Sequence, residues 1–254
     1  PELNELMGRK GGSHHLVRHV MPRFWPGSPK EKPWAVKPAP GPHPCRRCLP
    51  LGVVIRDILQ YAGTLREARI ALAEGQVKVD GVTRHDPHFP AGAMDTISIA
   101  SVGRHFRMLP DPTSHLRLHP IPSEEAGFKL CRIENRTVLK GNRTRLNLHD
   151  GRNMSVETAH EGDEGSKRYK TCDTIKISIP SQEILDHIPL REGCSTVITG
   201  GRNIGRRGVL SDLAQGLGRR KTMVRIREAG GSEFQTSLQY VFAVGSAEPL
   251  ISLE

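Results

Sequence analysis

A glycine-rich loop near the C-terminal end contains the residues whose types and spacing most clearly suggest chemistry. Four glycines lie between positions 200 and 208, and the polar residues among them are Arg202, Asn203, Arg206 and Arg207. Glycine lets a backbone approach a ligand closely, and a guanidinium forms paired hydrogen bonds with phosphate. The loop lacks the Gly-Lys-Ser/Thr ending of a nucleotide cradle and joins two strand patterns. We expect it to bind nucleic-acid phosphates, with an ordinary β-turn as the alternative.

Two other short motifs carry less specific signals. Arg219, Arg220 and Lys221 form a second basic run, for which a solvated loop is a serious alternative. Cys45-Arg46-Arg47-Cys48 has the spacing of metal ligands, but structural zinc needs four, and the sequence has no second Cys-x-x-Cys. The histidines that would complete a set are His43, His19, His14 and His15. We favour an incidental pair of thiols, and predict no metal and no cofactor.

The sequence shows no constellation typical of an enzyme. Its carboxylates form no recognisable acid–base pattern, and Cys131, Cys172 and Cys194 lie in apparent strands, where packing is the simpler role. The five cysteines are an odd number and are scattered, which fits free thiols in a reducing, intracellular compartment. No apolar run approaches the roughly 18 residues of a membrane span. We predict no catalytic residue, no small-molecule substrate and no membrane partner.

The positive charge is concentrated at the two ends of the sequence. The chain has 254 residues and a net charge of +10. By segment, residues 1–50 contribute +6, residues 51–110 contribute +1, residues 111–190 contribute nothing and residues 191–254 contribute +3. Clustered cations and a pI of about 9.7 indicate a polyanionic partner.

The first fifty residues are expected to form an extended arm. Prolines crowd the stretch from Pro22 to Pro50, where fixed φ angles and missing N–H donors prevent long helices and strands. The same segment contains both tryptophans, whose rings can stack on bases. A plain linker has little use for them, so we favour an RNA-binding arm. Its candidate RNA-binding residues are Arg9, Lys10, His14, Arg18, Arg23, Trp25, Arg46 and Arg47.

The next module is predicted as a helix, a tight turn, a helix, a hairpin and a strand. Apolar residues from Val53 to Leu59 recur at helical spacing, and Gly63 is expected to end that helix. Thr64 and Glu67 form a capping box for the second helix, which stops at Gly75. Asp80-Gly81 is a strong hairpin turn. We expect Arg56, Arg66, Arg69 and Lys78 to bind phosphates, although solvated helix charges explain Arg66 and Arg69 equally well.

The remaining sequence reads as short β-strands. Alternating segments at 128–133, 144–148 and 174–179 predict a central β domain, with a turn at Asp150-Gly151 and an exposed acidic loop at 161–165. Strand patterns at 196–199, 209–210, 223–226 and 240–244 suit a small SH3-like barrel. The fold class is thus mainly β with a small α/β RNA-binding module. The predicted domains are an arm (1–50), a helix-turn-helix plus hairpin domain (51–110), a central β domain (111–190) and a barrel (191–254).

Two of these modules resemble known families. Arg66-Glu67-Ala68, the run from Gly75 to Gly81 and Asp95-Thr96-Ile97 resemble the RNA-binding domain first described in a bacterial ribosomal protein S4. The run from Gly193 to Leu210 resembles the KOW motif of ribosomal and transcription-elongation proteins. The whole layout resembles the e-type family of small-subunit ribosomal protein four, found in archaea and eukaryotes. Because the sequence ends without the basic tail of eukaryotic members, the archaeal form is the better match.

The resemblance implies a structural constituent of the small ribosomal subunit that binds and stabilises its rRNA during assembly and translation. Its partners would be small-subunit rRNA and neighbouring ribosomal proteins, and its location the cytoplasmic ribosome. Two alternatives remain open. One is an RNA-modifying enzyme of the pseudouridine synthase type, and the other is a KOW-bearing assembly or transcription factor that binds transiently.

Overall fold

The computed structural model describes residues 15–27, 33–140, 143–157, 169–214 and 222–253. In these ranges the protein is mostly β, with three five-stranded antiparallel sheets and two small two-stranded ones. This confirms the predicted fold class. None of the described helices is both long and apolar enough to cross a membrane.

The described part of the arm lies against the helix–hairpin module. Strand β1 (Leu16–Val17) pairs with β2 (Trp34–Ala35), and β3 (Cys48–Pro50) pairs with β6 (Pro90–Gly92). Short 3-10 turns cover Arg18–Val20 and Cys45–Arg47. The β1–β2 pair lies within the arm, whereas the β3–β6 pair and the hydrogen bond from the Ala39 N–H to the His88 carbonyl oxygen, at 2.7 Å, hold the arm to the module.

The first helix of the module is shorter than predicted. An α-turn, α1 (Leu51–Val53), continues into a π-turn at Val54–Ile58, and Gln60 then takes a left-handed φ of 55°. The helix thus ends before Gly63, at a non-glycine residue that carries no local stop signal. The second helix, α2 (Leu65–Ala73), begins with the expected reciprocal cap between Thr64 and Glu67.

The first large sheet has the strand order β5-β4-β7-β8-β9. The strands are β4 (Val77–Val79), β5 (Val82–Thr83), β7 (Thr96–Ile99), β8 (Arg104–Asp111) and β9 (His115–Ile121). The β4–β5 hairpin turns at Asp80 and Gly81, both with positive φ, which is the type I′ geometry that Asp-Gly predicts. The β8–β9 hairpin crosses position 110, where the sequence suggested a domain boundary.

The central sheet has the order β12-β11-β10-β13-β14. A short helix, α3 (Ser123–Ala126), precedes it, and its strands are β10 (Phe128–Leu139), β11 (Arg143–Leu148), β12 (Asn153–Glu157), β13 (Thr174–Ser178) and β14 (Ile184–Ile188). The first half of β10 pairs with β13 and its second half with β11. The acidic loop predicted at 161–165 lies outside the described residues.

The third sheet has the order β18-β17-β16-β15-β19 and forms the C-terminal half-barrel. Its strands are β15 (Ser195–Ile198), β16 (Arg207–Ala214), β17 (Met223–Arg227), β18 (Glu233–Ser237) and β19 (Val241–Gly245). A 3-10 turn, Leu238–Tyr240, leads into β19.

One apolar cluster joins the sheets. Met94 and Leu109 of the first sheet region, Leu130 of β10, and Val197 and Phe242 of the half-barrel pack together and are all buried. Burial of such side chains contributes roughly 1.5–3 kcal/mol each. This shared core fixes the positions of the basic residues described next relative to one another.

Candidate nucleic-acid interface

The two tryptophans of the arm have opposite environments. Trp25 is only 4% exposed, packs in the core of the helix–hairpin module, and its Nε1 donates to the carbonyl oxygen of Cys48 at 2.9 Å. Trp34 is 56% exposed, and its ring lies 5.3 Å from that of His15. The prediction that Trp25 stacks on RNA is therefore contradicted by its burial, and Trp34, which was not among the predicted RNA-binding residues, is the arm tryptophan exposed to solvent.

Other basic residues of the arm are divided between surface and packing roles. The Arg18 guanidinium donates to the carbonyl oxygen of Gly27, whereas Arg23 is exposed. Arg46 and Arg47 are exposed on the turn ahead of β3, and neither side chain has a hydrogen-bond or ion-pair partner in the part of the chain that the structure describes. Arg46 and Arg47 are thus available to an outside anion.

The cysteines beside these arginines are protonated thiols at neutral pH. Burial raises the pKa of Cys45, and raises that of Cys48 to about 12. Among the described residues, neither belongs to a group of side chains close enough to hold a metal ion. His43, the nearest predicted ligand in sequence, instead contacts Asp95 at 3.1 Å.

The helix–hairpin module presents three of its four predicted cations to solvent. Arg66 and Arg69 are exposed on α2, where a spacing of three residues puts both on one side of the helix. Lys78 is the exposed residue of β4. Arg56 differs, because its guanidinium is held by both carboxylate oxygens of Asp57, at 2.6 and 2.8 Å.

The glycine loop divides its arginines in the same way. Arg202 and Arg207 are exposed. Arg206 donates two hydrogen bonds to Glu228, at 2.6 and 2.8 Å, and its guanidinium lies over the ring of Phe234. Its bonds to Glu228 raise the pKa of Arg206. Arg206 therefore anchors the loop to the half-barrel, and Arg202 and Arg207 are the loop arginines exposed to solvent.

The glycines of this loop serve contacts within the protein. Gly205 has a φ of +77°, and a Cβ there would lie 2.3 Å from Pro112 Cδ and 2.6 Å from the carbonyl carbon of Asp111. Gly200 and Gly201 lie against the Tyr240 ring, 2.7 and 3.2 Å from where a Cβ would be. The sequence predicts that these glycines let the backbone approach a ligand. At these three positions the missing side chain instead makes room for the backbone and rings of the protein itself.

The loop and the arm meet at a pocket. A cavity of about 290 Å³, which we call the junction pocket, is bordered by Arg46 and Arg47 from the arm and by Gly200 and Gly201 from the loop. Its other walls include the ring of Phe24, also from the arm, and rings from three further segments, namely His115, His149, and Tyr240 with Phe242. Two basic segments that are far apart in sequence thus border one cavity. Asn203 does not border it, and its side-chain nitrogen donates to the carbonyl oxygen of Gln235 at 3.3 Å.

A buried ionic cluster connects the elements that carry these surfaces. Lys129 Nζ, with its side chain 1% exposed, lies 2.7 Å from Asp80, 2.5 Å from Asp95 and 3.1 Å from Asp150. Arg152 adds contacts to Asp80 at 2.6 Å and to Asp150 at 3.3 Å. Although burial opposes its charge, the carboxylates hold the pKa of Lys129 well above its usual value. Alternation in β10 gave no sign that Lys129 would be buried.

Cys131, His149 and Asp150 also meet near this cluster, with potential ligand atoms within 4.8 Å of one another. Their atoms are already engaged. Asp150 contacts Lys129, and the ring nitrogens of His149 lie 3.2 Å from the Arg132 N–H and 3.3 Å from the Ala93 carbonyl oxygen. Burial raises the pKa of Cys131 well above its usual value. The charge of Asp150 is already neutralised by Lys129, as a metal ion would otherwise have to do. These three side chains therefore suit internal contacts that stabilise the fold.

The second half of β10 and its partner β11 form a basic hairpin that sequence reasoning missed. Its exposed cations are Arg136, Lys140, Arg143 and Arg145. Residues 111–190 sum to zero charge, which concealed this local concentration. Counting charges over the strand pair alone would have found it.

Six predicted residues lie outside the described ranges. They are Arg9, Lys10, His14, Arg219, Arg220 and Lys221. Their roles stay predictions.

Comparison with known proteins adds an independent line of evidence. The family model described as "Ribosomal family S4e" matches residues 102–184, and that described as "RS4NT (NUC023) domain" matches residues 10–46. The chain is 49% identical over 247 residues to the small ribosomal subunit protein eS4 of Aeropyrum pernix, covering 97% of this chain and 98% of the relative. The eS4 protein of Methanothermobacter thermautotrophicus is 44% identical over 239 residues, covering 94% and 95%.

A solved structure is similar as well. The crystal structure of the 30S ribosomal protein S4e from Thermoplasma acidophilum matches with a TM-score of 0.65 and 30% identity, covering 78% of this chain and 94% of that one. The similarity in sequence therefore extends to the three-dimensional arrangement.

Proposed function

This chain belongs to the ribosomal protein family S4e, and from that premise we propose that it binds small-subunit rRNA through the basic surfaces described above. Its role is that of a structural, non-enzymatic constituent of the small ribosomal subunit. Its place is the ribosome, and we propose the cytoplasm as the compartment. Neither the RNA-modifying enzyme nor the transient assembly factor gains support from the comparisons.

The observation that carries the rRNA proposal is the convergence of exposed cations from separate elements. Arg46 and Arg47 of the arm border the junction pocket. On the half-barrel side, exposed Arg202 directly follows Gly201, which also borders the pocket, and Arg207 is exposed farther along the same loop. Side chains cannot reach into the deep groove of A-form RNA, so cations that grip phosphates along its surface are the usual means of binding. A convergent set suits an RNA whose strands have already been brought close by folding.

The α2 face and the basic hairpin extend this surface in the proposal. Arg66 and Arg69 lie on one side of α2, and Lys78 is exposed on the neighbouring strand. Neighbouring ribosomal proteins would take the surfaces that RNA leaves uncovered. The basic residues at 9–14 and 219–221, outside the described ranges, would add further phosphate contacts.

The test is the salt dependence of rRNA binding. Each phosphate contact releases counterions, so replacing Arg202 and Arg207 with Ala should weaken binding and reduce the slope of log K against log salt by about 1.4–1.8. Binding of the full chain to small-subunit rRNA by filter retention at several salt concentrations measures this.

The matched control is Arg191→Ala, which removes one exposed charge at the opposite end of β15 from the loop. It should leave the slope unchanged. Arg206→Ala should instead lower the melting temperature, because it breaks the bonds to Glu228. A slope that stays the same when Arg202 and Arg207 are replaced contradicts the assignment of those two residues.

A further inference from the structure

We propose that the junction pocket binds a single unstacked nucleobase, preferably guanine, while Arg46 and Arg47 hold the adjoining phosphates. This inference rests on the proposed rRNA binding and adds a base-specific site to it. In this pocket, cations without a hydrogen-bond partner among the described residues, aromatic rings and a polar acceptor border the same cavity.

The size of the cavity matches one base. Small-molecule sites usually measure about 300–1,000 Å³. At about 290 Å³, the junction pocket is just below the lower limit of that range. A peptide helix or a whole cofactor is too large for it, and a bare phosphate would leave its aromatic walls unused.

The walls offer planar surfaces for stacking. Phe24 and His115, with ring centroids 5.3 Å apart, border one side, and the partly exposed His149 borders another, backed by the buried Phe242 ring that it meets edge to face at 5.4 Å. Tyr240 also borders the cavity and is partly exposed, while the backbone of Gly200 and Gly201 covers part of its ring. RNA-binding proteins recognise unpaired bases by stacking them on such rings, and each stacked base contributes about 1–3 kcal/mol.

The charges at the rim fit a nucleotide more closely than they fit an apolar ligand. Arg46 and Arg47 are exposed and have no partner among the described residues, so their guanidinium groups can take the phosphates on either side of the base. Arg132, by contrast, is held by the carbonyl oxygens of Gln239 and Val241 at 2.7 and 3.0 Å. It is a wall of the pocket and stabilises the contact between β10 and β19.

Glu134 supplies the basis for a preference among bases. Its Oε1 accepts from Arg132, while its other oxygen has no partner in the ranges that the structure covers. A carboxylate only accepts hydrogen bonds, so it favours a base edge that presents N–H donors. Guanine presents two adjacent donors on its Watson–Crick edge, whereas uracil presents one.

The experiment separates the base from the backbone. Binding of the full chain is measured by fluorescence anisotropy to an RNA pentamer with guanine at its centre and abasic sugars elsewhere, and to the wholly abasic pentamer. The guanine pentamer should bind about five- to a hundredfold more tightly. Tyr240→Ala should bring that ratio close to one, while Tyr240→Phe, which keeps the ring, should preserve it.

Further variants keep the test decisive. Ile204→Trp adds bulk at the wall of the cavity without removing an aromatic ring, and should also abolish the ratio. Glu134→Gln should reduce the difference in affinity between the guanine pentamer and the same pentamer with uracil at its centre. The proposal is overturned if the native chain binds both pentamers with equal affinity, in which case a protein side chain is the better candidate for the pocket. It is also overturned if Tyr240→Ala and Ile204→Trp both keep the native ratio of the two affinities. Salt-dependent binding of the abasic pentamer tests the proposed function separately.

Discussion

Lys129 neutralises carboxylates that reach it from three separate turns of the chain. Asp80 belongs to the β4–β5 turn, Asp95 precedes β7, and Asp150 belongs to the β11–β12 turn. Removing one partner from a buried ionic group leaves uncompensated charge and typically costs about 3–5 kcal/mol. At the residue scale, this single amine therefore holds the helix–hairpin module to the central sheet.

Lys129→Met should accordingly lower the free energy of unfolding by about 3–5 kcal/mol, measured by urea denaturation. The control is Lys176→Met on the adjacent strand, where the amine lies 4.0 Å from the centre of the Phe128 ring, and a loss of only about 0.5–1 kcal/mol is expected. Equal losses for the two variants would show that the buried cluster contributes no special stability.

His149 predicts how stability depends on pH. Burial lowers its pKa to about 4, with the charge of Lys129 acting in the same direction and Asp150 opposing it. Because the unfolded imidazole titrates near 6.5, the unfolded state binds more protons between these values, so stability is complete above pH 6.5 and falls as the pH decreases towards 4. The shift corresponds to about 3 kcal/mol.

His149→Gln, which keeps one donor and one acceptor, should flatten the decline in unfolding free energy between pH 6.5 and 4. The pKa of His119 is also lowered, by burial and then by Arg117, but this residue is only partly buried, so His119→Gln should remove much less of the slope. Urea titrations at several pH values provide the measurement. An undiminished slope in the His149 variant would contradict this account.

At the scale of elements, the glycine loop and the β8–β9 hairpin form a close backbone contact. Gly205 is buried against Asp111 and Pro112. The contact places the half-barrel beside the first sheet, and so determines where the loop arginines lie relative to the arm.

Gly205→Ala should destabilise the protein by roughly 2–5 kcal/mol, since left-handed strain adds to a steric clash. Gly103→Ala is the matched control, because Gly103 has a φ of +63° and a Cβ added there would meet nothing within 4 Å. It should cost only about 1–2 kcal/mol of strain. Thermal melts of both variants would distinguish them, and similar losses would exclude the proposed packing role of Gly205.

Local sequence signals predicted many elements correctly, because their causes are local. The cap at Thr64, the stop at Gly75 and the Asp80-Gly81 turn depend only on residues within a few positions of one another. The early end of the first helix was missed because Gln60 is not a residue type that marks a left-handed turn. The long β10 was missed because its exposed second half lacks apolar alternation and is held by pairing with β11.

The candidate site was less predictable than the fold. Composition correctly pointed to the arm and the glycine loop as basic segments, but it did not separate Arg206, which binds Glu228, from Arg202 and Arg207. Nor did it separate buried Trp25 from exposed Trp34. Those distinctions depend on contacts between residues far apart in sequence, as do the junction pocket and the Lys129 cluster.

For the whole molecule, the arrangement favours a chain that works as one body rather than as independent modules. The apolar cluster around Phe242, the Lys129 cluster and the Gly205 contact each join parts of different sheets. The division into domains stays a prediction, and the β8–β9 hairpin favours moving its second boundary from 110 to about 122. A rigid body of this kind suits a protein that holds several RNA strands at fixed spacing.

The central claim is tested most directly by the occupancy of this protein on small ribosomal subunits after a high-salt wash, measured by quantitative mass spectrometry against other small-subunit proteins. A structural constituent should remain in stoichiometric amount on mature small subunits and be absent from free large subunits. Recovery far below stoichiometry, or release into the wash while neighbouring proteins stay bound, would contradict the account.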